Sequence, residues 1–298
     1  MYSYSAYGLN IHSEINLANL ASGSASPDVQ IRRGKVVSPS GAKDNGTWTT
    51  RSDIYFRFQD IGTIQVSDGS AIVVDADNVD DRTAAFLVLG PAMGVLLHQR
   101  GVLVLHASAV TVNGEVLAFL GHSGWGKSTM AAAMVKLGAS AFCDDLVAVP
   151  MNQPKPMALP GYPFLKLGVD SGESLGYEVR EISPVLPGDD RRQISVPGAD
   201  PAASLPLIRI YILAEGNQPE VEILKPQDAA VELIRHSYAS PCIKESGMSA
   251  FHLKSCAELV DRLPIRRLRR PRRLDRIQEV AELVRHDASM AEGSDNDS

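Results

Sequence analysis

Gly121-His122-Ser123-Gly124-Trp125-Gly126-Lys127-Ser128-Thr129 fits a phosphate-cradling loop: a glycine, four residues, then Gly-Lys-Ser. An apolar run, Val116-Leu117-Ala118-Phe119-Leu120, precedes it, and Met130-Ala131-Ala132-Ala133-Met134-Val135 follows. The loop is therefore predicted between a strand and a helix, the context the motif requires. Glycines at 121, 124 and 126 let the backbone N–H groups form a nest, and the helix that follows presents its positive dipole end. Lys127 is placed to reach the β- and γ-phosphates of a nucleotide, with Ser123, Trp125 and Thr129 in the same binding set, and the Ser128 hydroxyl is the expected Mg²⁺ ligand. The bland alternative is a glycine-rich turn that binds nothing.

The chain has 298 residues, 44% of them hydrophobic, enough for one large domain or two of ordinary size and for a real core. A formal net charge of −6 argues against a nucleic-acid partner. No apolar run reaches the length of a membrane span, and Met1-Tyr2-Ser3-Tyr4-Ser5 lacks the regions of a signal peptide, so a cytoplasmic protein with no membrane partner is expected. Cys143, Cys242 and Cys256 show no metal-ligand spacing and read as small buried residues.

Residues 1–82 read as a small β-rich lobe, with strands expected at 7–11, 53–58, 62–66 and 71–74. The polar, Ser- and Gly-rich residues 21–50 read as a loop. Residues 83–99 have helical character that Gly90-Pro91 should interrupt. A strand over 102–110, the hairpin signal Asn113-Gly114 and a second arm over 115–120 lead into the phosphate loop. The helix from Lys127 should stop near Gly138. A short strand then ends in Asp144-Asp145, where a magnesium-binding carboxylate is expected. Further on, 193–197 and 207–213 read as strands and 226–238 as a helix. Asp275 is placed to cap a last amphipathic helix, and 288–298 read as a disordered acidic tail.

Three polar features are candidates to join the loop. Of Asp144 and Asp145, one would hold Mg²⁺ and the other accept a proton from an attacking hydroxyl; spacing does not say which does which. His106, in an apolar strand, is either a satisfied core residue or part of the site. Arg191 and Arg192, expected on a polar loop, either clamp a phosphate or are solvated. The run Arg266-Arg267-Leu268-Arg269-Arg270-Pro271-Arg272-Arg273 has no interleaved aromatic to stack on bases; its role stays open between a peptide partner, a subunit contact and a solvated or intramolecular one.

His106 in a strand, the hairpin, the loop at 121–129 and then Asp144-Asp145 after one helix and one strand resemble the catalytic domain of HPr kinase/phosphorylase and, more distantly, phosphoenolpyruvate carboxykinase. The resemblance covers about residues 100–149. It implies an α/β fold with a phosphate-loop nucleotide-binding core, a catalytic domain over 83–287, ATP and Mg²⁺. It also implies Asp144 as base, Asp145 beside the metal and His106 near the reacting phosphate. Thr129 stands where HPr kinases carry Glu, and their later glycine-rich segment is not found, which argues against HPr as substrate and against the reverse reaction.

Tyr7-Gly8-Leu9-Asn10-Ile11-His12-Ser13-Glu14, Pro160-Gly161-Tyr162-Pro163-Phe164-Leu165-Lys166-Leu167 and the Arg-Arg-Pro-Arg run are similar to HPr-kinase-like proteins that accompany lasso-peptide biosynthesis. That similarity implies a peptide serine kinase whose partner is a lasso precursor peptide, phosphorylated at its C-terminal Ser. A homo-oligomer is compatible with it. The competing readings are a nucleotide-dependent switch or scaffold that transfers nothing and a small-molecule kinase.

Overall fold

A computed structural model of the chain describes all residues except 18, 19, 24, 25, 38–44, 51, 60, 78, 163, 187, 199–202, 239–246 and 291–298. It is a mixed α/β structure built on two large sheets.

The first sheet comes from the N-terminal residues: β1 (Tyr2–Ala6), β2 (Leu9–Ser13), β3 (Ala21–Ser22), β4 (Val29–Arg33), β5 (Gly46–Thr49), β6 (Asp53–Phe58), β7 (Gly62–Ser67) and β8 (Ala71–Asp75). They lie in the order β3-β1-β2-β4-β8-β7-β6-β5. Two expectations are corrected here. Tyr7-Gly8 does not lie inside a strand but turns β1 into β2, with both residues at positive φ. The stretch expected as a loop over 21–50 contains β3, β4 and β5, and β4 is central because Val29 and Ile31 alternate into the core.

The buried face of this sheet packs on α1 (Asp81–Leu87), a π-helical turn (Val88–Ala92) that holds Pro91, and α2 (Met93–Gln99). The interruption expected at Gly90-Pro91 is present. Proline has no N–H for the ladder, and the helix accommodates it by widening for one turn.

The second sheet begins with β9 (Val102–Val112) and β10 (Glu115–Leu120), joined at Asn113 (φ 52) and Gly114 (φ 80) by the two-residue turn the sequence predicts. After the glycine-rich loop at 121–126 come α3 (Lys127–Lys136), β11 (Ser140–Cys143), β12 (Leu146–Pro150) and β13 (Met157–Ala158). β14 (Phe164–Gly168), α4 (Val169–Ser174) and β15 (Arg191–Ser195) follow, with β14 and β15 forming a separate antiparallel ribbon. β16 (Leu205–Glu215), β17 (Glu220–Ile223), α5 (Pro226–Arg235), α6 (Ser249–Arg262), β18 (Ile265–Arg270), a 3₁₀ turn (Leu274–Arg276) and α7 (Ile277–Ser289) complete the described chain.

The order of the second sheet is β11-β9-β10-β16-β18-β17, with β10 parallel to β16 and β16 parallel to β18. Both of its faces are covered. Along β10, Val116, Ala118 and Leu120 join a core with α5 and α6, while Leu117 and Phe119 join one with α3 and α7. Burial on both faces explains the unbroken apolar run before the loop. It also brings the loop out at the carboxyl end of a parallel strand, where open α/β sheets place ligands.

Several local expectations change. Of the roles left open for the basic run, the structure shows the intramolecular one: residues 265–270 form β18, paired with β16. Its charges are met within the fold, by Asp287 on Arg266 and by Glu222 on Arg267 and Arg269. Arg191 and Arg192 belong to a strand rather than a loop. Asp275 does not cap α7 but pairs with Arg273, and the residue at the cap position, Arg276, makes no side-chain capping bond. α7 continues to Ser289, past the start expected for the tail, whose residues 291–298 lie outside the described residues. Cys143 and Cys256 are buried and free; Cys242 lies outside the described residues. Among the described residues no helix is long and apolar enough to cross a membrane.

Candidate active site

Gly124 (φ 74) and Gly126 (φ 78) both sit in the left-handed region, so the loop follows a path that L side chains resist. At Gly126 a Cβ would also lie 2.8 Å from the Arg270 guanidinium. α3 starts immediately after, with its N-terminus toward a cavity of about 370 Å³ lined by residues 123–129. Lys127 is buried, and its Nζ donates to the carbonyls of Gly121 (3.0 Å) and His122 (3.4 Å). Burial lowers its pKa, against the opposing pull of Asp145 and Asp144.

The two aspartates occupy the gap between β11 and β12, which pair with successive parts of the long strand β9. Asp144 is 2% exposed and engaged on both oxygens. Its Oδ1 accepts from the Ser108 hydroxyl and from Ser128 Oγ (2.9 Å), and its Oδ2 accepts from the Lys166 backbone N–H (2.8 Å). Burial, reinforced by the charge of Asp145, raises its carboxyl pKa.

Asp145 faces the other way. It is a non-glycine residue at φ 80, a conformation held only where its surroundings over-determine it. Its Oδ2 bonds Lys166 Nζ at 2.7 Å and its Oδ1 lies 3.3 Å from His106 Nε2. Burial acts to raise its pKa, but the Lys166 ammonium and then His106 outweigh burial and hold it well below the ordinary carboxylate range.

His106 is thus beside the carboxylates rather than enclosed in the core, with 38% of its side chain exposed and its ring against Tyr238 (5.5 Å). Tyr238 is there because the chain leaves α5 at Arg235 and then bonds along β9, Tyr238 N–H to Val104 O (2.9 Å). A second imidazole, His236, lies against His122 of the loop (4.9 Å between rings). Burial, then His122 and Lys127, pull its pKa down to about 4.

Arg191 lines the cavity and is held by Asp189 (2.5 Å). Arg192 does not join it. Alternation along β15 turns it to the opposite face, where it bonds the carbonyls of Asp189 and Arg191.

The sequence reading missed four contributors. Ser108 lies on β9 and Lys166 on β14; Arg270 ends β18 and Arg272 follows two residues later. Arg270 Nη2 donates to Trp125 O and Arg272 Nη2 to Gly124 O (3.0 Å), so the C-terminal strand grips the loop through its carbonyls. Arg272 also lies over the Trp125 ring at 5.7 Å. The one available signal was the density of arginines after 265, which carries no address in the fold.

Six basic side chains (Lys127, Lys166, Arg191, Arg270, Arg272, Arg273) and three acidic ones (Asp144, Asp145, Asp190) line the cavity, in a chain whose net charge is −6. Such a focus of positive charge over a helix N-terminus suits a polyanion.

No family model matches the chain, and no curated protein matches it. Among solved structures it is similar to the Hpr(Ser) kinase/phosphatase from Coxiella burnetii, at 13% sequence identity over 64% of this chain and 94% of that one, with a TM-score of 0.33. Similarity at that level carries no argument about the chemistry, which rests on the geometry above.

Two stretches quoted from the sequence meet behind Asp145. Tyr7 N–H donates to Pro160 O (2.8 Å), and the Tyr7 and Tyr162 rings pack edge to face at 6.3 Å. A Cβ at Gly161 would lie 3.0 Å from both Cys143 Cβ and Tyr7 Oη, so glycine permits this approach.

Proposed function

We propose that the chain is an ATP- and Mg²⁺-dependent kinase that moves the γ-phosphate to a serine hydroxyl of a peptide, the C-terminal serine of a lasso precursor peptide being the first candidate. Residues 83–287 would carry the catalysis, in the cytoplasm. The observation that supports this reading best is the 2.9 Å contact between Ser128, at the first turn of the helix after the phosphate loop, and the buried carboxylate Asp144, with a second carboxylate, Asp145, one residue on and turned toward the cavity.

The residues suit the groups this reading requires. The glycine loop, the α3 N-terminus and the cationic wall fit a triphosphate. Ser128 Oγ and Asp144 supply hard oxygen donors. No group of three or more His, Cys, Asp or Glu that could hold a metal occurs among the described residues, and Mg²⁺ needs none, since it commonly takes one or two protein ligands and completes its octahedron with phosphate oxygens and water. When bound, Mg²⁺ would neutralise charge developing on the β- and γ-oxygens.

The protein's own part is positioning. Lys127 would leave the loop carbonyls for the phosphates, and Arg191, Arg270 and Arg272 would balance the remaining charge. The geometry favours Asp144 as the metal-side carboxylate and Asp145, next to His106, as the acceptor-side one, the reverse of the order that the family resemblance implies. Both carboxylates line the cavity, but Asp144 Oδ1 already holds the hydroxyl of Ser128, the expected metal ligand, whereas Asp145 lies beside the partly exposed His106. The seryl hydroxyl gives its proton to Asp145, its oxygen bonds the γ-phosphorus, and the bond to the β-phosphate oxygen breaks to release ADP.

The test is transfer of labelled phosphate from ATP to a panel of serine peptides, precursor C-termini included, and hydroxyl-bearing metabolites, by the wild type and by Lys127→Ala. The wild type should label at least one peptide and the variant none. Nucleotide binding with no labelled peptide or metabolite in the panel would leave a non-transferring switch as the better account.

A further inference from the structure

A second cavity, of about 290 Å³, adjoins the first, and Lys166 lines both. The geometry points to this cavity as a subsite for an apolar side chain of the acceptor peptide, close in sequence to the serine that is phosphorylated. The inference rests on the kinase reading only in placing the acceptor hydroxyl at Asp145.

Lys166 is the partition. Its Nζ bonds Asp145 on the polar side, and the same group lies 4.7 Å from the Phe86 ring centroid. Beyond it the character of the wall changes. Phe86, Leu89, Tyr162, Phe164 and Val185 supply a large apolar wall. The Tyr162 hydroxyl is spent on the carbonyl of Leu89 (2.7 Å), and its ring stacks on Phe164 at 4.7 Å, so the aromatic pair presents carbon rather than polar atoms.

The charges at the mouth are already engaged. Asp81 accepts from Arg33 (2.8 Å) and from Asn16 N–H (3.1 Å), and Arg82 donates to Ser183 O (2.7 Å). A charged ligand group would have to displace one of these contacts, whereas an aliphatic or aromatic group only displaces water.

The helical segment that walls this cavity also touches the catalytic carboxylate. At the π turn, a Cβ on Gly90 would stand 3.8 Å from Asp145 Oδ2, one residue after Leu89 on the cavity wall. Each residue of an extended peptide spans about 3.3 Å. A peptide with its hydroxyl at Asp145 therefore passes Lys166 within its next few residues. A small metabolite acceptor would have no use for the second chamber; a peptide does.

The experiment uses the full chain and two readouts. The first is binding, by titration calorimetry, of peptides in which the acceptor serine is alanine and leucine or aspartate is moved through the flanking positions. At one flanking position leucine should bind at least about tenfold more tightly than aspartate. That preference should vanish in Ala85→Trp and in Gln193→Trp, which fill the cavity from two different elements, α1 and β15, while ATP affinity in both variants stays that of the wild type. The same affinity for leucine and aspartate peptides at every position, or a leucine preference that survives both substitutions, would overturn the inference. The second readout is phosphate transfer to the serine versions. Transfer without a leucine preference in binding refutes the subsite and keeps the kinase; a leucine preference without transfer supports the subsite and removes the kinase reading.

Discussion

Lys166→Met is the most informative single perturbation, because Lys166 both pairs with Asp145 and separates the two cavities. Methionine keeps an unbranched, apolar side chain of similar length and removes the ammonium, with both its bond to Asp145 and its contact with the Phe86 ring. At 2.7 Å the lost attraction is about 6 kcal/mol for an effective dielectric constant of about 20. Part of that is offset by the desolvation that Lys166, 6% exposed, no longer suffers. Breaking one side of a buried pair costs about 3–5 kcal/mol, and because Asp145 retains 20% exposure and His106, a value near 3 kcal/mol is expected.

The pH dependence carries the sign. In the wild type the Asp145 carboxyl is held below its unfolded value, so its pairing stabilises the fold fully above about pH 5 and the benefit fades as the pH falls through the low folded value. Without Lys166, burial has less to oppose it and the carboxyl shifts upward; once it passes the unfolded value, stability is lost as the pH rises between the two. The gap between the two proteins should widen from pH 4 to pH 8. Urea denaturation followed by far-ultraviolet circular dichroism across that range measures it. A difference below about 1 kcal/mol that does not change with pH would refute the claim that Lys166 keeps Asp145 ionised.

Two further outcomes follow from the site. Asp144→Asn should raise the Mg²⁺ concentration needed for half-maximal transfer by about tenfold or more, while Asp145→Asn should lower kcat by about a hundredfold or more at an unchanged Mg²⁺ requirement; a Mg²⁺ titration of both variants would expose the opposite assignment. Arg270→Met removes the bond from β18 to Trp125 O and should weaken ATP binding about tenfold, the equivalent of about 1.4 kcal/mol, with a far-ultraviolet spectrum like the wild type's; an unchanged Kd by fluorescent-nucleotide displacement would mean that the loop holds its shape without β18.

Sequence and structure agree most where the information is local. The strand–loop–helix at 116–136, the Asn113-Gly114 turn and the break at Gly90-Pro91 each follow from the conformational limits of a few adjacent residues, and all stand where the sequence puts them. β4 was illegible because five residues, Val29-Gln30-Ile31-Arg32-Arg33, alternate too briefly within a polar stretch to stand out. The 265–270 strand was hidden by its arginines, since composition reports charge and not the carboxylates and carbonyls that will meet it.

By itself, then, the sequence determined that a glycine-rich loop opens a helix and that two aspartates follow one helix and one strand later, because glycine spacing and apolar periodicity act within a single segment. Only the tertiary structure decided which aspartate faces Ser128 and which faces His106 and Lys166. That choice depends on the pairing of β11 and β12 with β9, on the left-handed backbone at Asp145 and on a lysine twenty-one residues further along the chain. Register between strands is set by the packing of whole faces, and no stretch read alone contains it.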